Sequence, residues 1–124
     1  YNFIDENAVV CAVMDARRMQ FYNAIFSVKD GVVTRICDDR AISIDDLRKE
    51  LSSYDKVIVA GDGARLCMSG LKLDNCFLAD DDKIYQNAVS VSKAAHNVKP
   101  ISPKSLMPVY LRLSQAEREL KLKK

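Results

Sequence analysis

The sequence lacks any uncharged apolar run approaching the 18 residues that a membrane-spanning helix typically needs. It begins YNFIDE, which has neither the basic start nor the apolar stretch of a signal peptide. We therefore expect a cytosolic protein with no membrane span. At 124 residues, with 48% hydrophobic and 29% charged residues, the chain has the size and composition of one soluble domain with a real core.

Histidine is nearly absent, and the four cysteines form no CxxC pair. The one histidine, His96, ends an apolar helical stretch, so we expect a solvated helix-end residue rather than the base of a Ser/His/Asp triad. Each cysteine lies inside or beside an apolar segment, which favours small buried hydrophobes over disulfide or zinc ligands. The cysteines are Cys11, Cys37, Cys67 and Cys76. The sequence thus predicts no metal site.

The common phosphate-binding motifs are missing or incomplete. No Gly-Lys-Ser/Thr occurs, which excludes a P-loop. The turn Gly61-Asp62-Gly63 lacks the third glycine of a dinucleotide fingerprint, because Leu66 stands at that position. We interpret this turn as a tight connection between a strand and a helix, with a nucleotide-facing role as the alternative.

Charge is clustered in two places. The run Asp80-Asp81-Asp82 could hold magnesium through carboxylate oxygens, but its position before a predicted helix favours capping. Residues 111–124 carry five basic and two acidic residues, a balance of +3, against +2 for the whole chain. We predict that residues 114–124 form a solvated, frayed basic tail, with contact to phosphate groups as the alternative.

Hydrophobic patterning predicts three strands at the start of the chain. Residues 8–13 are continuously apolar, as in a strand buried on both faces, and residues 20–28 are rich in aromatic and β-branched types. Asp30-Gly31 indicates a hairpin turn, because both residue types tolerate a positive φ. Residues 32–37 then form the return strand.

Helices and strands alternate in the rest of the chain. Ser43 is a predicted N-cap for a helix over residues 44–53, with Asp45 and Asp46 in its first turn. We predict strands over residues 56–60 and 75–79, helices over 64–69 and 84–97, and an edge segment at PVYLRL after a proline-rich connection. The pattern is α/β: a mixed sheet with an antiparallel opening meander and packed helices, as in one RNase H-like half.

A polar corner, Asp15-Ala16-Arg17-Arg18, joins the first two strands. A carboxylate at the end of a buried strand can be ionised and functional, or it can pair with an arginine and cap the following turn. No second catalytic partner is visible, so the residues alone favour the structural role for Asp15 and Arg17. We predict no catalytic residue in this chain.

Four segments resemble, in order and spacing, the C-terminal half of the TsaB family, also called YeaZ: AVMDARRMQFYNAIF, VIVAGDGA, AVSVSKAAHN and LMPVYLRLSQAERE. The Asp-Ala-Arg corner is the most specific part, together with the closing Pro-Val-Tyr-Leu-Arg that contains Tyr110 and Arg112. The Asp-Thr/Ser strand and Gly-Pro-Gly-Ser-Phe-Thr-Gly loop of complete members are not in this sequence. We therefore expect one C-terminal domain over residues 1–113, followed by the tail.

The resemblance implies an actin/sugar-kinase type of fold, in which this chain is one of two RNase H-like halves. It implies a non-catalytic scaffold and activator role in making threonylcarbamoyladenosine beside the tRNA anticodon, with the transferase chemistry in TsaD. The implied partners are TsaD and TsaE, contacted mainly through the N-terminal half, tRNA reached through the complex, and a second TsaB copy. ATP and magnesium would be bound by partner subunits, and this domain would hold no cofactor.

Two alternatives stay open. The chain could be a nucleotide-binding or catalytic half of an actin/sugar-kinase superfamily enzyme, with Asp15 and the turn at Gly61 and Gly63 as site residues. A glycoprotease-like activity has also been considered for the family, but one histidine with no nucleophile beside it gives that little support. An apolar face left without its partner half also predicts self-association of this chain.

Overall fold

The computed structural model describes residues 1–122, apart from the side chain of residue 115, so Lys123 and Lys124 of the predicted basic tail lie outside the described residues. The strands are β1 (Ala8–Asp15), β2 (Gln20–Lys29), β3 (Val32–Arg35), β4 (Arg40–Ser43), β5 (Val57–Ala60) and β6 (Cys76–Leu78). The α-helices are α1 (Ile44–Leu51), α2 (Ala64–Leu71), α3 (Ala88–His96) and α4 (Gln115–Leu122), with a 3-10 turn at Pro103–Ser105. None of these helices is long and apolar enough to cross a membrane.

The strands form one mixed sheet in the order β3-β2-β1-β5-β6, and β4 also pairs with β2. β1, β2 and β3 are antiparallel neighbours, whereas β5 and β6 run parallel to β1. The predicted hairpin turn is confirmed, because Asp30 and Gly31 both have a positive φ, 50° and 75°. The predicted α/β class with an antiparallel opening meander is therefore confirmed.

The predicted third strand, residues 32–37, is too long: β3 ends at Arg35. Arg35 pairs with Phe26 and Arg40 pairs with Asn23, so four residues of the return chain lie opposite two residues of β2. The amides of residues 36 and 37 both donate to the carbonyl of Ile25, at 2.8 and 3.4 Å. A β-bulge thus interrupts the strand that pairs with β2 after the hairpin turn, and the chain pairs with β2 again as β4. β4 has only four residues, all half-buried, so its sequence shows no alternation of apolar and polar residues.

One face of the sheet is covered by α1 and α2, which pack against each other. α1 presents Leu47 and Leu51 to the core, and α2 presents Cys67 and Leu71, all fully buried. Successive strand residues point to opposite faces, so β1 gives alternate residues to this helix-covered face and to the other one. The second face is the floor of the cleft described below.

The predicted start of α1 is confirmed by its cap. The Ser43 hydroxyl accepts a hydrogen bond from the Asp46 amide at 3.2 Å and donates to the Asp46 carboxylate at 2.8 Å. The bond from Ser43 is the main reason that the pKa of Asp46 lies below its ordinary value. At the end of α2, the Arg48 guanidinium donates to the last carbonyls, those of Gly70 and Leu71.

The predicted helix over residues 84–97 begins four residues late. Asn87 is the N-cap of α3, because its side-chain oxygen accepts from the Ser90 amide at 2.9 Å. Ile84 is buried, but it lies in a separate turn in which its amide donates to the Asp80 carbonyl at 2.9 Å. Ile84 fits the apolar period of α3 by spacing, while Asn87 carries the capping signal that decides the boundary.

The edge strand predicted at PVYLRL does not form, because residues 107–113 have no regular secondary structure. This segment leaves large apolar side chains in solvent, Leu106, Met107, Val109 and Tyr110. After it, the predicted frayed tail contains α4 instead. Ser114 begins that helix with a capping box: its hydroxyl donates to the Glu117 carboxylate at 2.7 Å and accepts from the Glu117 amide at 3.3 Å.

Candidate functional site

The corner between β1 and β2 is held by the Asp15 side chain. One carboxylate oxygen accepts a hydrogen bond from the Arg17 amide at 2.7 Å, and the other lies 3.9 Å from the Arg17 guanidinium. The Arg17 side chain is 88% exposed, so this ion pair is weak and solvated. Asp15 therefore stabilises the turn through the backbone of Arg17, as the Asx-turn geometry dictates.

Three consecutive non-glycine residues of this corner adopt the left-handed conformation: Arg17, Arg18 and Met19, with φ of 66°, 55° and 55°. Each such residue costs roughly 1–2 kcal/mol relative to a right-handed conformation. The Met19 carbonyl accepts from the Ile44 amide at 3.1 Å, which ties the corner to the start of α1. A Cβ added at Gly70 would lie 3.3 Å from Met19 Cε, so the end of the Met19 side chain lies against α2, while 42% of the residue is exposed.

The turn Gly61-Asp62-Gly63 joins β5 to α2 and lies against the end of β1. A Cβ at Gly61 would lie 2.1 Å from the Val13 carbonyl oxygen, and one at Gly63 would lie 2.8 Å from the Asp15 amide nitrogen. Gly61 also has a φ of 109°, which L side chains rarely adopt. Both glycines are therefore required by the close approach of two backbones.

Three amides at this turn are already engaged. Gly61 donates to the Ile84 carbonyl at 2.8 Å, Gly63 donates to the Val13 carbonyl at 3.2 Å, and Ala64 donates to the Gly61 carbonyl at 3.1 Å. A phosphate bound through these three amides would have to displace these bonds. The Asp62 side chain is exposed and lines the adjoining cleft.

The two most specific motifs of the sequence meet at this corner. Arg112 donates a hydrogen bond from its guanidinium to the main-chain carbonyl of Ala16, which lies between Asp15 and Arg17. Tyr110, two residues earlier, is 86% exposed and lines the same cleft as Arg112. The structure thus brings Asp15, Arg17 and Arg112 together, whereas Tyr110 bonds to no residue of the described chain.

A cleft of about 770 Å³ lies on the face of the sheet opposite α1 and α2. Its floor includes Ala12, Ala24 and Ala60, which are neighbours across three strands. Six of the chain's nine aromatic residues line it: Tyr1, Phe3, Tyr22, Phe26, Tyr85 and Tyr110. A cleft of this size with apolar and aromatic walls suits an apolar chain segment or a flat ring.

Three of the four cysteine thiols are buried in the core. Burial raises the pKa of the Cys67 thiol to about 12 and also raises the pKa values of Cys11 and Cys76, so these thiols are protonated at neutral pH. His96 is exposed on α3, and its ring Nδ1 lies 2.9 Å from the Ser92 carbonyl. In residues 1–122, no three histidine, cysteine or acidic side chains gather in a way that could hold a metal ion.

The carboxylate run at residues 80–82 is spread out in the structure. Asp81 accepts from the Arg65 guanidinium at 2.5 Å, and the Asp80 carbonyl accepts from the Lys83 and Ile84 amides at 2.9 Å. The run lies in the loop after β6 and not beside α3, so the predicted capping of that helix is wrong. The Asp81 side chain thus pairs with α2, and the Asp80 carbonyl closes the turn that follows.

Sequence reasoning placed Ala16 and Arg18 in the corner but gave them no role, and it did not include Met19. Ala16 contributes a backbone carbonyl, which carries no residue-type signal. The left-handed residues Arg17, Arg18 and Met19 include none of the types that favour a positive φ, so the sequence does not predict their conformation. The aromatic cleft is equally hidden, because its walls come from both termini and from β2.

No family model and no curated protein matches the chain. Among solved structures, the chain is similar to the crystal structure of an uncharacterized protein with similarity to peptidase YeaZ from Pseudomonas aeruginosa, with a TM-score of 0.59 and 14% identity. The match covers 89% of this chain and 52% of that one, so the chain spans about half of that protein's length. At this identity the likeness concerns the fold alone: the chain has a YeaZ-like α/β fold.

Proposed function

We propose that this chain is the C-terminal half of a TsaB-like scaffold subunit that activates TsaD in the synthesis of threonylcarbamoyladenosine on tRNA. The observation that carries the proposal is the YeaZ-like fold, matched over 89% of the chain. The contact of Arg112 with the Ala16 carbonyl supports it, because this bond joins the two motifs that most resemble the family.

The arrangement of the corner favours a structural role over a catalytic one. The Asp15 carboxylate is used by the Arg17 amide, and the amides of Gly61 and Gly63 are used by neighbouring carbonyls. A scaffold half requires such internally satisfied turns, since they fix the shape of a surface without reacting. In this proposal TsaD and TsaE bind ATP and magnesium, and tRNA is presented to TsaD by the assembled complex.

The test is a chimera in which this chain replaces the C-terminal half of a TsaB protein. In cells depleted of TsaB, the chimera should restore threonylcarbamoyladenosine, measured by mass spectrometry of digested tRNA. The matched control is the same chimera with Gly61→Val, in which the added side chain collides with the Val13 carbonyl and removes the folded half. A chimera that is soluble, folded and abundant but leaves the modification absent would contradict the proposal.

A nucleotide-binding half is the second candidate, and the cleft beside Gly61 and Asp62 is the observation that favours it. A volume of about 770 Å³ with aromatic walls is large enough for a nucleoside. Isothermal titration calorimetry of the chain and of the chimera with ATP and magnesium separates the two candidates. A saturable heat that Asp62→Ala abolishes supports the second candidate, because Asp62 lines the cleft, and no heat in either protein removes it.

A further inference from the structure

We infer that the tip of the β1–β2 hairpin, residues Arg17 and Arg18, is a contact site for the phosphate backbone of RNA. The inference rests on the proposed function in naming tRNA as that RNA. It gives this chain a direct contact with tRNA, which the proposed scaffold role does not require.

The first argument is the residue type at a strained position. Arg17 and Arg18 both have a positive φ, which glycine, asparagine and aspartate adopt at lower cost. Met19, the third left-handed residue, has a packing reason to be there, since it contacts α2 at Gly70. The two arginines have no comparable packing reason, because their side chains extend into solvent.

The second argument is that the guanidinium groups are available. The Arg17 guanidinium has one distant carboxylate oxygen, Asp15 Oδ2 at 3.9 Å, while Oδ1 of the same carboxylate accepts from the Arg17 amide. The Arg18 side chain has no hydrogen bond or ion pair with any residue in the described part of the chain. Asp62 is exposed on the adjoining turn, and neither arginine pairs with it.

The third argument is that the tip is held rigidly. The Ala16 carbonyl accepts from Arg112, the Ala16 amide donates to Gln20 at 3.0 Å, and the Met19 carbonyl accepts from Ile44. A fixed turn loses no backbone freedom when its arginines bind, and a guanidinium matches two oxygens of one phosphate. No aromatic side chain belongs to residues 15–20, so the contact is with the backbone rather than with stacked bases.

The positive charge of the proposed contact lies on the hairpin tip itself. α4 follows Arg112 by three residues, but it carries Glu117 and Glu119 as well as Arg118 and Lys121 and so adds no net charge. Arg17 and Arg18 are therefore the two cations that the inference assigns to the phosphate contact.

The experiment measures binding of a fluorescein-labelled tRNA transcript to the full chain by anisotropy, over a series of salt concentrations. The test variant is Arg17→Gly/Arg18→Gly, which removes both charges and suits the positive φ, so that the fold is kept. We expect an affinity loss of about tenfold near 0.1 M salt, and a salt slope reduced by about 1.4–1.8 for two lost phosphate contacts.

Two matched variants accompany it. Lys29→Ala/Lys56→Ala removes the same charge from the opposite end of the sheet, since Lys29 ends β2 about 30 Å from Gln20, and it should change the affinity less than twofold. Arg17→Lys/Arg18→Lys keeps the charge and should keep the salt slope. If the glycine variant and the remote variant lose affinity equally, or if the unaltered chain does not bind the transcript, the inference is overturned.

A competition experiment tests whether the hairpin tip prefers RNA to an acidic protein. Polyglutamate of matched charge should displace the labelled tRNA much less well than unlabelled tRNA does, and equal competition would overturn the assignment to RNA. The chimera distinguishes this inference from the proposed function. If the chain binds tRNA through its arginines but the chimera does not restore the modification, only the proposed function is refuted. If the chimera restores the modification but the glycine variant binds tRNA as tightly as the unaltered chain, only the RNA contact is refuted.

Discussion

The Arg112 guanidinium donates to the main-chain carbonyl of Ala16, 96 positions earlier in the chain. This bond joins the C-terminal segment to the corner between the first two strands. Because the segment has no strand pairing of its own, this contact is a main anchor of residues 107–113 on the sheet. Its removal should therefore act locally rather than on the whole fold.

We predict that Arg112→Ala releases the C-terminal segment. A charge-assisted hydrogen bond of a half-buried side chain contributes about 1–2 kcal/mol, and here that free energy holds mainly the segment and not the sheet. The {1H}-15N heteronuclear NOE should fall at residues 107–113 and remain high in β1 and β5. Arg112→Lys serves as the control, because it keeps the charge but not the fork geometry. Unchanged NOE values in the alanine variant would contradict the anchoring role.

We predict that Gly61→Ala prevents stable folding or costs more than about 3 kcal/mol, since the new Cβ would lie 2.1 Å from the Val13 carbonyl oxygen. Gly31→Ala is the matched comparison: this glycine also has a positive φ, but a Cβ there meets nothing within 4 Å. It should cost only about 1–2 kcal/mol. Urea unfolding measures both, and similar losses would show that φ, and not the close backbone approach, decides the effect.

We predict that the stability of the folded chain falls as the pH rises from about 9 to about 12. Burial raises the pKa of Cys67 from 9.0 to about 12, and the pKa of Cys11 shifts in the same direction. In this interval the unfolded chain loses thiol protons that the folded chain keeps, so proton release favours unfolding. Cys67→Ala should flatten the dependence when urea midpoints are compared across this range. A slope identical to that of the parent chain would contradict the prediction.

The same burial predicts how the thiols react. At pH 8 an aromatic disulfide reagent should modify Cys37 first, because this cysteine is only half-buried and the other three are buried. In denaturant all four should react at similar rates. Fast labelling of Cys11 or Cys67 in the folded chain would show that the core opens more readily than its packing indicates.

We predict that the isolated chain self-associates through its exposed apolar segment. Leu106, Met107 and Val109 are each more than 70% exposed, and they adjoin the open aromatic cleft. Light scattering should report a mass that rises with concentration, and Leu106→Ser/Val109→Ser should lower it towards that of a monomer. Val32→Ser, at an exposed site beside the hairpin turn, is the control. A monomeric parent chain at all concentrations would contradict this prediction.

The sequence predicts the central sheet well, because its strands are continuous apolar runs and its turns use residues with a specific backbone preference. Ser43 and Asp30-Gly31 are such cases, and both are confirmed. Predictions fail where two local signals compete. Ile84 extends the helical period, while Asn87 sets the real start of α3.

The candidate site is less predictable for a different reason. Asp15, Arg17 and Arg112 stand out as residue types, but their meeting point is a backbone carbonyl, and carbonyls are the same in every residue. The fold alone brings positions 16 and 112 together. The left-handed run at Arg17–Met19 has no sequence signature either, since its cause is the tertiary contacts of the turn.

The bulge in the return edge has a consequence for how this chain meets other molecules. A long, regular edge strand can pair with a strand of another molecule. Here the edge formed by β3 and β4 is interrupted midway, and the opposite edge strand, β6, has only three residues. Neither border of the sheet is therefore suited to growth by strand addition. Association of this protein is directed to its faces and its hairpin tip, where the geometry of contact is set by side chains and can be selective.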